Sequence, residues 1–126
     1  MFNRKDLTLI KETALPAAGA SAASEAIDAQ SAAHNAEIVV GVPALANLAS
    51  GKAVSVKIQE SADNATFADA PWAPSVSVTG ASGGGAATEQ RIGIPSTAKR
   101  YLKAVASVAA DGGNNTGSKF VFALAL

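Results

Sequence analysis

The chain has 126 residues, enough for one domain with a core of its own. Its 10 Lys and Arg residues balance its 10 Asp and Glu residues, so neither nucleic acid nor a membrane is expected as an electrostatic partner. It contains no cysteine, which excludes disulfides and cysteine-ligated zinc.

The hydropathy pattern argues against a membrane span and against secretion. No apolar run reaches the ~20 residues that a transmembrane helix needs. Residues 1–13, MFNRKDLTLIKET, are charged and then alternate, so they lack the continuous apolar stretch of a secretory signal. We expect synthesis in the cytosol without export by that route.

The N-terminal third predicts two short strands. Residues 5–13 alternate and indicate a first strand at a sheet edge, and residues 1–15 as a whole could form an extended arm. Residues 17–36 are rich in alanine, so a helix over 24–33 is an alternative. Ile27 is the only large apolar residue there, which favours a short strand over 24–28 and a polar loop over 30–35.

The middle of the chain carries the clearest strand signals. Residues 37–42 form a β-branched run, and residues 52–59 alternate between apolar and polar side chains. Between them, residues 43–50 could form a single helical turn. Strands are also predicted over 75–79 and 88–94, separated by a flexible glycine loop over 80–85.

Two aromatic residues follow a predicted turn at Asp63 and Asn64, whose side chains tolerate tight-turn conformations. Phe67 is expected on the core side after this turn. Trp72, the only tryptophan, lies in a proline-flanked loop and is expected to cover one end of the core.

The C-terminal stretch predicts a hairpin. Its two strands, over 99–108 and 120–126, are joined by a turn-rich segment over 111–117. The total is about eight short strands at roughly regular spacing. This pattern predicts an all-β fold, an antiparallel β-sandwich or jelly roll, in a single domain over residues 1–126.

No motif in the chain predicts catalysis or a cofactor. The glycine loop lacks the Lys and Ser/Thr that follow a phosphate-binding loop, and Lys52 after Gly51 lacks the hydroxyl neighbour. His34 is the only histidine and is interpreted as a solvated loop residue. A calcium loop over 60–69 is an alternative to simple turn chemistry. The chain is therefore expected not to be an enzyme.

Three segments together carry a resemblance to a known family. They are the strand and turn VKIQESADNATF over 56–67, the segment IPSTAKRYL over 94–102, and the closing strand from Gly117 to Leu126. The chain resembles, over about its C-terminal two thirds, the small jelly-roll cement (decoration) proteins of tailed bacteriophage capsids. The alanine-rich N-terminal third departs from that pattern.

The resemblance implies a non-enzymatic virion protein on the capsid exterior. It would bind the major capsid protein, act as a homodimer or homotrimer, and cement neighbouring subunits. The residues that contact the capsid or another subunit are inferred from their positions: Phe2, Arg4, Lys5, Trp72, Lys99, Arg100 and Tyr101. The alternative function is a ligand-binding β-sandwich that recognises a carbohydrate or receptor.

Overall fold

The computed structural model describes residues 10–29 and 36–125. Within these ranges the chain forms ten strands and no helix. The strands are β1 (Ile10–Ala14), β2 (Ser21–Ala23), β3 (Ile27–Asp28), β4 (Glu37–Val42), β5 (Ala53–Ser61), β6 (Ala68–Asp69), β7 (Val76–Thr79), β8 (Thr88–Gly93), β9 (Tyr101–Val108) and β10 (Lys119–Ala125).

The strands form two antiparallel sheets. One has four strands in the order β1-β10-β4-β8. The other has six, in the order β2-β9-β5-β6, with β3 also paired to β9 and β7 also paired to β5. When β2 with β3, and β6 with β7, are each counted as one interrupted strand, eight strands remain. Their sheet orders, 1-8-3-6 and 2-7-4-5, are those of a jelly roll. The predicted sandwich is confirmed.

The core lies between the two sheets and follows from period-two alternation. In β5, Val54, Val56 and Ile58 are buried, while the side chains between them are only half-buried. From the facing sheet, Phe120 and Phe122 of β10 are the largest fully buried side chains. Because alanine contributes little apolar area, these aromatic rings supply much of the volume between the sheets.

The predicted C-terminal hairpin is wrong. The two strands are present as β9 and β10, but they belong to different sheets: β9 pairs with β2, β3 and β5, and β10 pairs with β1 and β4. The chain from Ala109 to Ser118 crosses from one sheet to the other. Each strand has a neighbour on both sides and so lies in the interior of its sheet.

The alanine-rich segment is extended over its described part, so the alternative of a helix starting at Ser24 is wrong. The Ser24 side chain is buried between β2 and β3. Its Oγ accepts a hydrogen bond from the Ala104 N–H at 3.0 Å and donates one to the Glu25 carbonyl at 3.0 Å. Ser24 thus attaches the short segment between β2 and β3 to β9. The predicted loop over 30–35 lies outside the described residues.

The glycine loop that follows β7 is built into the fold. Gly85 exchanges two backbone hydrogen bonds of 2.8 Å with Leu45, and the Gly80 N–H donates to the Lys52 carbonyl at 2.8 Å. The loop that was predicted to be flexible is therefore anchored at both of its ends. Leu45 forms a bridge and not a helical turn, which also removes the helical alternative over 43–50.

Candidate functional site

One end of the sandwich brings together two of the three segments that carry the family resemblance. The last residue of β5, Ser61, pairs with Tyr101, the first residue of β9. The loop that contains Trp72 and the turn at Asp63 lie beside this pair. We call the surface formed by residues 60–74, 99–101 and 28 the Trp72 end. The third segment, β10, lies in the opposite sheet.

A buried carboxylate holds the Trp72 end together. Glu60 is only 7% exposed, and its Oε1 accepts a hydrogen bond from Trp72 Nε1 at 2.9 Å and from the Lys99 backbone N–H at 3.1 Å. One oxygen therefore fixes both the tryptophan loop and the segment that leads into β9. Such charge-assisted bonds are stronger than bonds between neutral groups.

The turn after β5 is fixed by Asp63. Its Oδ1 accepts hydrogen bonds from the N–H groups of Thr66 at 3.0 Å and Ala65 at 2.9 Å, and from Ser61 Oγ at 2.8 Å. These bonds favour the charged carboxylate, and they lower the pKa of Asp63 from 3.8 to about 2. Asn64 has φ of 60°, the left-handed conformation that the turn was predicted to need.

Arg100 is paired across the sheet edge. Its Nε and Nη2 donate to the two Asp28 carboxylate oxygens at 3.0 and 2.8 Å, and its guanidinium lies 5.0 Å from the centroid of the Tyr101 ring. The hydrogen bond with Asp28 raises the pKa of Arg100 above its usual value. The guanidinium therefore orders this edge, although a pair so exposed adds little stability.

Phe67 lies outside the core, so the prediction that it faces the core is wrong. The ring is half-buried, and Lys103 Nζ lies 4.3 Å from its centroid. Six residues separate β5 from β6, and β6 pairs with β5 over only two residues. Phe67 precedes that strand and instead forms a half-buried cation–π contact outside the core.

The structure brings together four of the seven predicted contact residues. Trp72 is half-buried against the core, as expected of a residue that covers one end, and it shares the Glu60 carboxylate with Lys99. Arg100 and Tyr101 follow directly. The other three, Phe2, Arg4 and Lys5, lie outside the described residues, as does His34.

Sequence reasoning missed Glu60 and Asp28. The signal for Glu60 was present, because the alternation of β5 points every even-numbered residue inward, and the next after Ile58 is Glu60. An acidic residue at an inward position predicts a buried partner. Asp28 gave no comparable signal, because its pairing with Arg100 depends on β3 lying beside β9.

The carboxylates at this end are engaged by donors, which leaves the calcium alternative without support. Asp63 accepts from two backbone N–H groups, and Asp69 accepts from Gln59 Nε2 at 3.1 Å and contacts Lys57 Nζ at 3.3 Å. The Gln59 and Lys57 bonds lower the pKa of Asp69. Within residues 10–29 and 36–125, no cluster of three or more His, Cys, Asp or Glu side chains could hold a metal ion.

Two open grooves lie beside the four-stranded sheet in the described part of the chain. One, of about 560 Å³, lies between β1 and the segment around Glu25. The other, of about 470 Å³, crosses the outer face over Gly41 and Val121. No aromatic side chain lines either groove. Over the same ranges, no helix has the length and apolar character to cross a membrane.

Comparison with solved structures identifies a phage protein of similar fold. The PBSX exported protein XepA, a phage protein, aligns with a TM-score of 0.57 at 15% sequence identity, over 90% of this chain and 34% of XepA. The chain thus spans about a third of XepA. At this identity the likeness shows a shared fold.

A second solved structure, described as "CBM4 structure and function", aligns over 90% of this chain and 55% of its own, with 12% identity. Its TM-score of 0.37 is too low to support an argument. No protein-family model matches the chain, and no curated protein matches it significantly.

Proposed function

We propose that this protein is a non-enzymatic structural protein of a phage virion. It binds the outer surface of the capsid, contacts neighbouring major capsid subunits through the Trp72 end, and stabilises the assembled shell. The fold shared with a phage protein supports a phage origin. A protein that binds only the assembled state stabilises that state by its binding free energy.

The observation that carries the proposal is the union of two separated segments at the Trp72 end. Residues 56–67 and 94–102 support the resemblance to cement proteins, and the Glu60 carboxylate and the Ser61–Tyr101 pair make them one surface. A shared motif that forms one connected surface is better explained by a common contact than by two unrelated turns.

The chemistry of this surface suits a protein partner. Tryptophan, tyrosine and arginine are the residue types that dominate protein interfaces, and Trp72, Arg100 and Tyr101 are all partly exposed here. Glu60 and Asp28 hold them in place before binding, so less side-chain entropy is lost on contact. Many copies on one shell would convert weak single contacts into firm retention.

Co-sedimentation tests the proposal. Purified protein is mixed with expanded capsids that lack it, the capsids are pelleted, and the capsid melting temperature is measured with and without it. We expect stoichiometric co-sedimentation and a raised melting temperature. Lys99→Glu should weaken binding, because its exposed side chain lies on the Trp72 end while its backbone N–H keeps the bond to Glu60.

The matched control is Lys119→Glu, which makes the same charge change at an exposed position on β10. This variant should bind capsids like the unmodified protein. Failure to bind expanded shells, combined with affinity for a glycan, would contradict the proposal and favour the ligand-binding alternative.

A further inference from the structure

Within the described residues, no further strand pairs with the edge of the four-stranded sheet at β8. Among the strands that end the two sheets in the described chain, β8 is the longest, with six residues against five in β1 and four in β7. Glu89, Gln90 and Arg91 at its centre are all exposed. An edge strand of this length presents a row of backbone groups that can pair with another strand.

The opposite edge of the four-stranded sheet, at β1, is close to the six-stranded sheet. There β1 lies near β2, and Lys11 Nζ of β1 contacts Glu25 Oε2 beyond β2 at 3.3 Å. In the six-stranded sheet, the edge strands have no more than four residues each; they are β2, β3, β6 and β7. The β8 edge is therefore the site best suited to pairing.

Successive residues of β8 direct their backbone N–H and C=O groups to opposite sides of the strand. The Ile94 N–H donates to the Ala36 carbonyl at 3.2 Å, in line with the register that pairs Ile92 with Ile38. Hydrogen-bonded pairs recur at every second residue of an antiparallel ladder. The even-numbered residues of β8 therefore bond to β4, and the N–H and C=O groups of Glu89 and Arg91 point to the open edge.

The side chains select one register for pairing with a second copy. When two copies of β8 pair antiparallel about a two-fold axis, residues that face each other must lie on the same face of the joined sheet. The possible registers therefore differ from one another by two residues. Centring the pair on Gln90 places Glu89 opposite Arg91 of the second copy, twice. The adjacent registers place Glu89 opposite Glu89, or Arg91 opposite Arg91, which is repulsive.

We infer that β8 pairs with β8 of a second copy around a two-fold axis at Gln90, which joins two four-stranded sheets into one of eight. On the inner face, Thr88 then lies opposite Ile92, a compatible β-branched pair. The edge pair alone buries less area than a standard interface, so the dimer is expected to depend on concentration. This inference does not rest on capsid binding, and either can fail alone.

Charge reversal tests the register. Sedimentation velocity from micromolar to millimolar concentration should show a monomer–dimer equilibrium for the full chain. Glu89→Arg or Arg91→Glu alone should raise the dissociation constant about tenfold, since two attractions become two repulsions. The double variant Glu89→Arg/Arg91→Glu should restore dimerisation. A chain that stays monomeric, or single variants that dimerise unchanged, would overturn the inference.

Cross-linking gives an independent readout, because the chain has no cysteine. Gln90 faces its own copy in a non-hydrogen-bonded pair, where Cα atoms lie ~4.5 Å apart, within disulfide range. Oxidised Gln90→Cys should therefore form a covalent dimer. The matched control Thr88→Cys places the two sulfur-bearing residues ~13 Å apart and should not cross-link. Equal cross-linking of both variants, or of neither, would contradict this register.

Discussion

The two ends of the sandwich are held by different means. At the Trp72 end, acidic side chains accept hydrogen bonds from loops: Glu60 from Trp72 and Lys99, and Asp63 from its own turn. At the opposite end, which we call the glycine end, the loops over 45–51, 80–85 and 111–117 pack mainly backbone against backbone, and the amide groups of Asn47 and Asn115 donate to backbone carbonyls. Gly84 and Gly113 lie there in the left-handed conformation, with φ of 94° and 89°.

This difference determines which residues at each end can be substituted. Where one side chain holds a loop, the other side chains of that loop can be substituted one at a time. A partner can contact those side chains. At Gly84 and Gly113, backbone packing leaves no room for a Cβ atom, so these two positions require glycine. The Trp72 end is thus suited to recognition, and the glycine end to closing the core.

The largest effect is expected for Gly84→Ala. A Cβ there would lie 2.2 Å from the Leu45 carbonyl oxygen, and φ of 94° is unfavourable for any side chain. We expect a loss of about 3 kcal/mol in the free energy of unfolding, measured by urea titration. The control is Gly83→Ala, where a Cβ meets nothing within 4 Å and φ is ordinary. Equal stability of the two variants would contradict backbone packing.

A smaller loss is expected for Glu60→Ala. The Trp72 Nε1 and Lys99 N–H would both lose their acceptor, at a cost of about 2 kcal/mol. Glu60→Gln keeps one acceptor oxygen and should cost less. Urea unfolding gives the stability, and the fluorescence of the single tryptophan reports its exposure. The control Glu12→Ala removes an exposed carboxylate of β1; a loss as large there would contradict the role of Glu60.

Ser24→Ala tests the interruption between β2 and β3. The substitution leaves the buried Ala104 N–H without the Ser24 Oγ that accepts its bond. We expect the free energy of unfolding to fall by about 1 kcal/mol in thermal or urea unfolding. Ser21→Ala, at an exposed position in β2, is the control and should change stability by less than about 0.5 kcal/mol. Indistinguishable variants would show that Ser24 is not needed.

The mildest effect is a pH dependence at the Asp63 turn. Since folding lowers the pKa of Asp63 from 3.8 to about 2, its carboxylate stabilises the fold above pH 4, and this contribution is lost as the pH falls towards 2. Asp63→Asn should therefore be less stable than the unmodified protein at pH 6, and the difference should shrink in acid. A difference that is constant across this range would contradict the role of the charged form.

Much of the fold could be predicted from alternation. Val54, Val56 and Ile58 marked β5, and Phe120 and Phe122 marked the inward face of β10. The sheet to which each strand belongs could not be predicted. The turn-rich stretch between β9 and β10 is as compatible with a hairpin as with a crossing between sheets, because residues 111–117 specify reversal but not the strand that pairs next.

The candidate site was predictable only in part. Trp72 and the segment from Lys99 to Tyr101 were each predicted as contacts, but nothing in the sequence indicated that they lie together. The joining group, Glu60, stands 12 residues before one and 39 before the other, so their meeting depends on how β5 pairs with β9. The close packing of the glycine loop could not be predicted, because glycine permits both mobility and close packing. Which of the two occurs depends on the position of Leu45.

The most direct test of the account places a probe at each end. A fluorophore sensitive to its surroundings is attached to Lys99→Cys at the Trp72 end or to Ser82→Cys at the glycine end, each the only cysteine in the chain. Both positions are exposed. When capsids are added, we expect a shifted emission and protection from a soluble quencher for the Lys99→Cys probe alone. Protection of the Ser82→Cys probe alone, or of neither, would contradict capsid binding through the Trp72 end.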